Sequence, residues 1–138
     1  INEQSLKLSF KADEKTATMD LKVVQDNVVA NGAAENIVEV TVLDGKLNPV
    51  PNFKLNYAVQ GAKLKVSPDA TDAQGKARVH LSSEVAGTET ALLTINEQSL
   101  KLSFKADEST ATMKLKVVQD NVVADGSAEN LIDVTVLD

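Results

Sequence analysis

The chain has no cysteine and no tryptophan, and only one histidine, one tyrosine, three phenylalanines and three prolines among its 138 residues. Without cysteine there is no disulfide framework and no thiolate metal site, so stability has to come from packing. With so few rings, any core is aliphatic. A lone histidine, His80, leaves a zinc site or a catalytic dyad to be assembled from carboxylates and hydroxyls alone. No apolar run exceeds three residues, and no charged-then-apolar leader precedes a chain that opens at Ile1 in mid-repeat. Neither a membrane-crossing helix nor direct membrane insertion by this segment is expected. A basic excess is missing too. Fourteen Lys and Arg face twenty Asp and Glu, for a net charge of −6, which argues against DNA, RNA and anionic lipid surfaces as partners. What is present is 43% apolar residues with 25% charged, the balance of a folded chain long enough for one ordinary core.

The main feature is internal repetition. Residues 1–44 return as residues 95–138 with 37 of 44 positions identical, a period of 94 residues. That length suits an autonomous sandwich domain better than a solenoid turn or a propeller blade. The differences are Lys15/Ser109, Asp20/Lys114, Asn31/Asp125, Ala33/Ser127, Ile37/Leu131, Val38/Ile132 and Glu39/Asp133. A position that reverses charge is solvated. The apolar exchanges roughly keep their volume, which is what a packed interior accepts best.

Alternation with a period of two recurs along the chain, and no stretch sustains helical spacing. Val38, Val40 and Val42 alternate with polar residues. So do Phe53, Leu55, Tyr57 and Val59, then Ala77, Val79 and Leu81, then Leu100, Leu102, Phe104 and Ala106. These are strands with one buried and one wet face. Turn chemistry separates them at Asn31-Gly32, Asp44-Gly45, Asn48-Pro49, Gln60-Gly61, Ser67-Pro68-Asp69, Gln74-Gly75 and Ala86-Gly87. The expected fold is all-β: about seven antiparallel strands per 94 residues in two packed sheets, with Phe53, Tyr57 and Phe104 as the only aromatics of the core.

A complete unit can be framed in several ways. If the strand near residues 5–12 closes one unit and residue 22 opens the next, a link of about ten residues reaches at most ~35 Å, too little to span a sandwich comfortably. The expected frame is therefore residues 1–20 as the last strand of a preceding repeat, 21–114 as a complete domain and 115–138 as the first strands of a following repeat. Leu6, Leu8 and Phe10, with Ile132, Val134 and Val136, then carry apolar faces whose partners are missing. Such ends are expected to swap between chains or to compete with their copies inside the domain. The junction at residues 107–114 contains neither glycine nor proline, so successive domains are expected to form a rod rather than beads on a tether.

The passage from Val28 to Leu64, followed by Thr71 to Ile95, resembles the group 1 bacterial immunoglobulin-like repeats of the intimin and invasin family. The resemblance rests on Asn31-Gly32 (Asp125-Gly126 in the second copy) ahead of the strand at 36–43, and on Asp44 closing it. It continues through Asn48-Pro49-Val50-Pro51, Thr71-Asp72, Gly75-Lys76-Ala77 and Ala86-Gly87. One departure is that the family's Asp-Gly-Asn-Pro-Val passage is lengthened by two residues, Lys46 and Leu47. The resemblance implies an immunoglobulin-like sandwich in a Gram-negative outer-membrane adhesin, displayed at the cell surface beside neighbouring repeats of its kind.

Residues that could carry chemistry each have a plainer role. His80 falls on the outer, wet face of its strand. Asp26, Asn27, Asn31 and Gly32, with Asp120, Asn121, Asp125 and Gly126, could suggest an interdomain calcium site. Their spacing is not that of an EF-hand loop, and Asn31 and Asp125 serve a turn equally well. Lys101, Lys105, Lys114 and Lys116 read as wet faces that discourage edge pairing. No catalytic, cofactor or metal residues are assigned, and the chain does not read as an enzyme. The leading functional expectation is a stalk repeat that holds an adhesive tip away from the cell, because near-identical copies give a spacer length. The alternatives are a repeat that itself binds host-cell or matrix protein or mediates homotypic contacts, and an accessory domain of a carbohydrate-active enzyme.

Overall fold

The computed structural model describes residues 3–138, which divide into two compact units at Lys105 and Ala106. The first unit contains β1 (Thr18–Gln25), β2 (Val28–Val29), β3 (Asn36–Leu43), β4 (Tyr57–Gln60), β5 (Lys63–Val66), β6 (Lys76–Ser82), β7 (Gly87–Ile95) and β8 (Gln98–Lys105). The second contains β9 (Thr112–Gln119) and β10 (Leu131–Leu137). There is no α-helix among the described residues, only a 3-10 turn ahead of β1 and another ahead of β9.

β3 shows why these residues become strands. Its sequence is rich in Val, Ile and Thr, whose branched Cβ suits a pleated surface. Asn36, Val38, Val40 and Val42 are buried, while Ile37, Glu39, Thr41 and Leu43 are half-buried on the other face. It is an inner strand of the first sheet, whose order is β1-β3-β6-β5. The second sheet runs β2-β8-β7-β4. Val38, Val40, Val42, Ala77, Val79 and Leu81 from one sheet join Ala91, Leu93, Ile95, Leu102 and Phe104 from the other in a single buried cluster. Phe104 is the only aromatic fully inside, and Phe53 and Tyr57 pack against the cluster half-buried.

Two details go beyond the alternation. The chain changes sheets at Asn27, which takes a left-handed φ of 57° that Asn tolerates better than most residues. The two residues after it form β2 and pair parallel with β8, Val28 beside Phe104 and Val29 beside Lys105, while every other strand pair is antiparallel. The run from Phe53 becomes a regular strand only at Tyr57. Before it, Asn52 and Leu55 donate their N–H groups to the carbonyls of Thr71 and Asp69, and Thr71 Oγ1 takes the N–H of Phe53 at 2.9 Å. Residues 52–55 therefore spend their bonds on the 69–71 loop instead of a sheet neighbour.

In the second unit, β9 and β10 pair antiparallel from Thr112↔Leu137 to Gln119↔Leu131. This is the register of β1 and β3, Thr18↔Leu43 to Gln25↔Ile37, moved on by 94 residues with the same bulge. Yet every residue of β9 and β10 is exposed. The amino-terminal segment goes further: residues 4–11 repeat the sequence of β8, but form no strand and leave Leu8 76% and Phe10 97% exposed. Their counterparts Leu102 and Phe104 are 0% and 2% exposed.

The twin segments make a controlled test. Leu102→Ala is expected to cost about 2–5 kcal/mol in chemical denaturation, the range for emptying a packed aliphatic site. Leu8→Ala, in the same local sequence, is expected to stay within about 0.5 kcal/mol of wild type. Similar losses for both would contradict the packing described.

Candidate functional site

The residues singled out by chemistry are scattered over the first unit and serve its structure. His80 lies on the outer face of β6, as alternation places it, but it is half-buried rather than freely solvated, with Nδ1 3.2 Å from Glu35 Oε1. Lys76 and Arg78 share Glu39 at 3.4 Å each. Lys101, Lys105, Lys114 and Lys116 are exposed. Among the described residues, no three His, Cys, Asp or Glu side chains are grouped to hold a metal ion.

The Asn31 and Asp125 positions form the same turn. Asn31 Oδ1 accepts the N–H groups of Ala33 and Ala34 at 2.8 Å, and Asp125 Oδ1 accepts those of Ser127 and Ala128 at the same distance. Only one side-chain oxygen is used, so amide and carboxylate interchange. In the carboxylate version the N–H of Ala128, then that of Ser127, lowers the pKa of Asp125.

What the fold does build is two fixed ends. At one pole, where β1 and β3 end and begin, Asn36 is fully buried in the first sheet yet bonds across to the second. Its Oδ1 accepts the Val28 N–H at 3.2 Å, and its Nδ2 donates to the Ser103 carbonyl at 2.9 Å and to Asp26 Oδ1 at 3.3 Å. Asp26 Oδ1 also takes the N–H groups of Asn27 and Ser103. Asp26 and Asn27 thus pin the sheet crossing to β8, from which the chain leaves the sandwich.

At the opposite pole the central group is Asp44, 4% exposed. Its Oδ1 accepts the N–H groups of Lys46 and Asn48 at 2.9 Å each. Its Oδ2 accepts Asn48 Nδ2 at 3.1 Å and the N–H of Asp13 at 3.0 Å. Four donors on one carboxylate favour its charged form, and the N–H groups of Asp13 and Asn48 lead in lowering its pKa to about 2. Lys46 and Leu47, the two extra residues of this loop, are accommodated as the top of the turn, with Leu47 at a φ of 66°. Gly75 closes the pole from the other side. Its φ is +72°, and a Cβ there would stand 2.6 Å from the Val42 carbonyl oxygen, so no other residue fits without strain.

Sequence reasoning marked Asp44 only as the end of a strand and part of a turn, and missed Asn36, Asp13 and Thr16. The available signals were an amide in phase with Val38, Val40 and Val42, and an Asp-x-x-Thr spacing found in both copies, Asp13/Thr16 and Asp107/Thr110.

Residues 18–106 match the bacterial Ig-like domain (group 1). The chain is 26% identical over 141 residues to the inverse autotransporter adhesin YeeJ of Escherichia coli (strain K12), covering 95% of this chain and 6% of that protein. It therefore spans a small fraction of the adhesin it matches. Among solved structures, a C-terminal 282-residue fragment of intimin, crystallised with the intimin-binding domain of the translocated intimin receptor, aligns at a TM-score of 0.55 and 22% identity. That alignment covers 85% of this chain and 44% of the fragment. The D00-D0 domain of intimin aligns at 0.51 and 18% identity over 70% of this chain and 48% of its own. At these identities the structural matches speak for the immunoglobulin-like fold.

The Asp44 carboxylate has a pH signature. Because its folded pKa lies below the ordinary 3.8, its contribution to stability is present above that value and is lost as pH falls towards about 2. The stability difference between wild type and Asp44→Asn, measured by denaturation, is expected to shrink across that window. A difference independent of pH would contradict the assignment.

Proposed function

We propose that this chain, which belongs to the bacterial Ig-like domain (group 1) family, acts as a spacer in the exposed part of a bacterial surface adhesin, holding an adhesive tip away from the cell. The observation that carries this reading is the position of the chain ends in the sandwich. β1 starts at Thr18 beside Leu43, at the pole where β8 also begins, with Gln98 Nε2 donating to the Met19 carbonyl at 3.0 Å. β8 ends at the other pole, where the Lys105 carbonyl accepts the N–H of Ala30 at 2.8 Å. The polypeptide enters at one end and leaves at the other, so each repeat adds about the length of an eight-residue strand, ~25 Å.

Near-identical tandem copies multiply that length without adding a distinctive surface, and energetic recognition sites depend on distinctive clusters. In this reading the chain holds the end of a preceding repeat, one complete repeat and the first strands of a following one. The partners of the exposed faces of Leu6, Leu8 and Phe10 and of Ile132, Val134 and Val136 are then neighbouring repeats, and association between chains through those faces belongs to the same account. Its homology to an adhesin, not to an enzyme, supports a non-catalytic role.

The test compares binding to host cells and matrix proteins by a labelled chain of two or three complete repeats with binding by the parent adhesin. Binding by the parent and none by the repeats is the expected result. Saturable binding by the repeats alone would replace the spacer reading with that of an adhesion module.

A further inference from the structure

The segment that leads into β1 is held by the sandwich it enters. Asp13 gives its N–H to Asp44 Oδ2 at 3.0 Å, and Thr16 Oγ1 receives the N–H of Gly45 at 2.8 Å. Between these two anchors the chain makes a single 3-10 turn, Glu14–Thr16, capped by Asp13 Oδ1 on the Lys15 N–H at 3.0 Å. Thr16 Oγ1 donates in turn to the Asp13 carbonyl at 3.2 Å. Ala12 and Ala17, on either side, pack half-buried against the hydrophobic cluster.

The second copy repeats the cap and the carboxylate anchor. Asp107 gives its N–H to Asp138 Oδ2 at 3.0 Å, Asp107 Oδ1 accepts the Ser109 N–H at 3.0 Å, and Thr110 Oγ1 donates to the Asp107 carbonyl at 3.2 Å. The residue that differs, Lys15 against Ser109, gives its backbone N–H to the aspartate in both copies, and Ser109 Oγ adds a second bond to Asp107 Oδ1 at 2.5 Å. Asp13, Thr16 and Asp44 supply side-chain atoms or the anchored N–H, and each recurs as Asp107, Thr110 and Asp138.

The spacing is tight. β8 ends at Lys105 and the next anchored residue is Asp107, which leaves Ala106 as the one residue between a strand of one repeat and the clasp of the next. Ala12 stands in the same place between Lys11 and Asp13.

We propose that Asp44 and its copy Asp138 are positioning residues for the joint between repeats: the carboxylate takes the linker into the body of the repeat it leads to, so consecutive repeats turn about a single residue and the joint is stiff. The free length of a connection sets how widely its ends can wander, and one residue allows little. The titratable groups around Asp44 are Asp13 and Lys46, and both reach it through backbone N–H groups rather than through their charges. This inference deepens the spacer reading, but its test is separate.

In the 138-residue chain, Asp44→Ala is expected to bring the backbone order of residues 13–17, read by amide relaxation, down to that of an unanchored tail. Exchange of the Asp13 amide should quicken roughly tenfold, the worth of about one net hydrogen bond. The backbone order of the sheet residues should not change. Thr16→Val keeps the Asp44 turn and removes the Gly45 acceptor, so it covers the case in which Asp44→Ala disturbs the fold, and it is expected to loosen the same residues. Across a joint between two complete repeats, spin-label distances are expected to be narrowly distributed and to broaden on substitution of the joint's Asp44 equivalent. A distribution already broad in wild type, or unchanged by both substitutions, would overturn the proposal. Saturable cell binding by repeats with a stiff joint would overturn the spacer reading alone, and a loose joint without binding would overturn this one alone.

Discussion

A strand with one apolar face is stable only when something covers that face, and the whole structure follows from where cover exists. Valine and leucine side chains contribute about 1.5–3 kcal/mol each when taken fully out of water. The first unit collects that contribution by placing Val38, Val40, Val42, Val79 and Leu81 against Leu93, Ile95, Leu102 and Phe104. Hydrogen bonding within a sheet does not substitute for it. β9 and β10 keep the ladder and bulge of β1 and β3, yet expose Ile132, Val134 and Val136. The copy of β2, Val122 and Val123, forms no strand, since β2 owes its pairing to β8. Residues 4–11, with neither a second sheet nor a ladder, have the sequence of β8 without its structure.

Polar side chains then set the positions of elements that the aliphatic core leaves free to slide. Asn36 joins the two sheets through a buried amide whose bonds are all made, so it adds specificity without leaving an unpaired group. Asp44, at the other pole, ties its own turn and the segment leading into β1 together, and no side-chain nitrogen or oxygen is buried without a partner among the described residues. Those two networks mark the places where the chain enters and leaves the sandwich. A module whose ends lie at opposite poles, each tied to the core by side-chain bonds, suits serial connection. The spacer reading and the stiff joint both draw on that arrangement.

Alternation carried most of the fold into view from sequence alone. β3, β6 and β8 lie where Val40, Val79 and Leu102 place them, and the two-sheet sandwich of an immunoglobulin-like family member follows from them. The sheet crossing at Asn27 was hidden because a left-handed asparagine leaves no trace in hydrophobic pattern. The late start of β4 was hidden because Thr71 imitates a backbone partner for Phe53, and a side chain in that role does not alter the period. The clasp was least legible. It depends on Asp44 meeting Asp13, 31 residues away, and local spacing cannot report a long-range carboxylate contact.

Hydrogen exchange over the twin segments tests the governing constraint most directly, since local sequence is held constant while cover is not. Amides of residues 98–105 are expected to exchange only with global unfolding, and those of residues 4–11 at nearly the rate of an unstructured chain. The hairpin of β9 and β10 is expected to fall between them. Equal protection of residues 4–11 and 98–105 would show that the strand's own sequence, rather than the covering sheet, decides its structure, and would contradict this account.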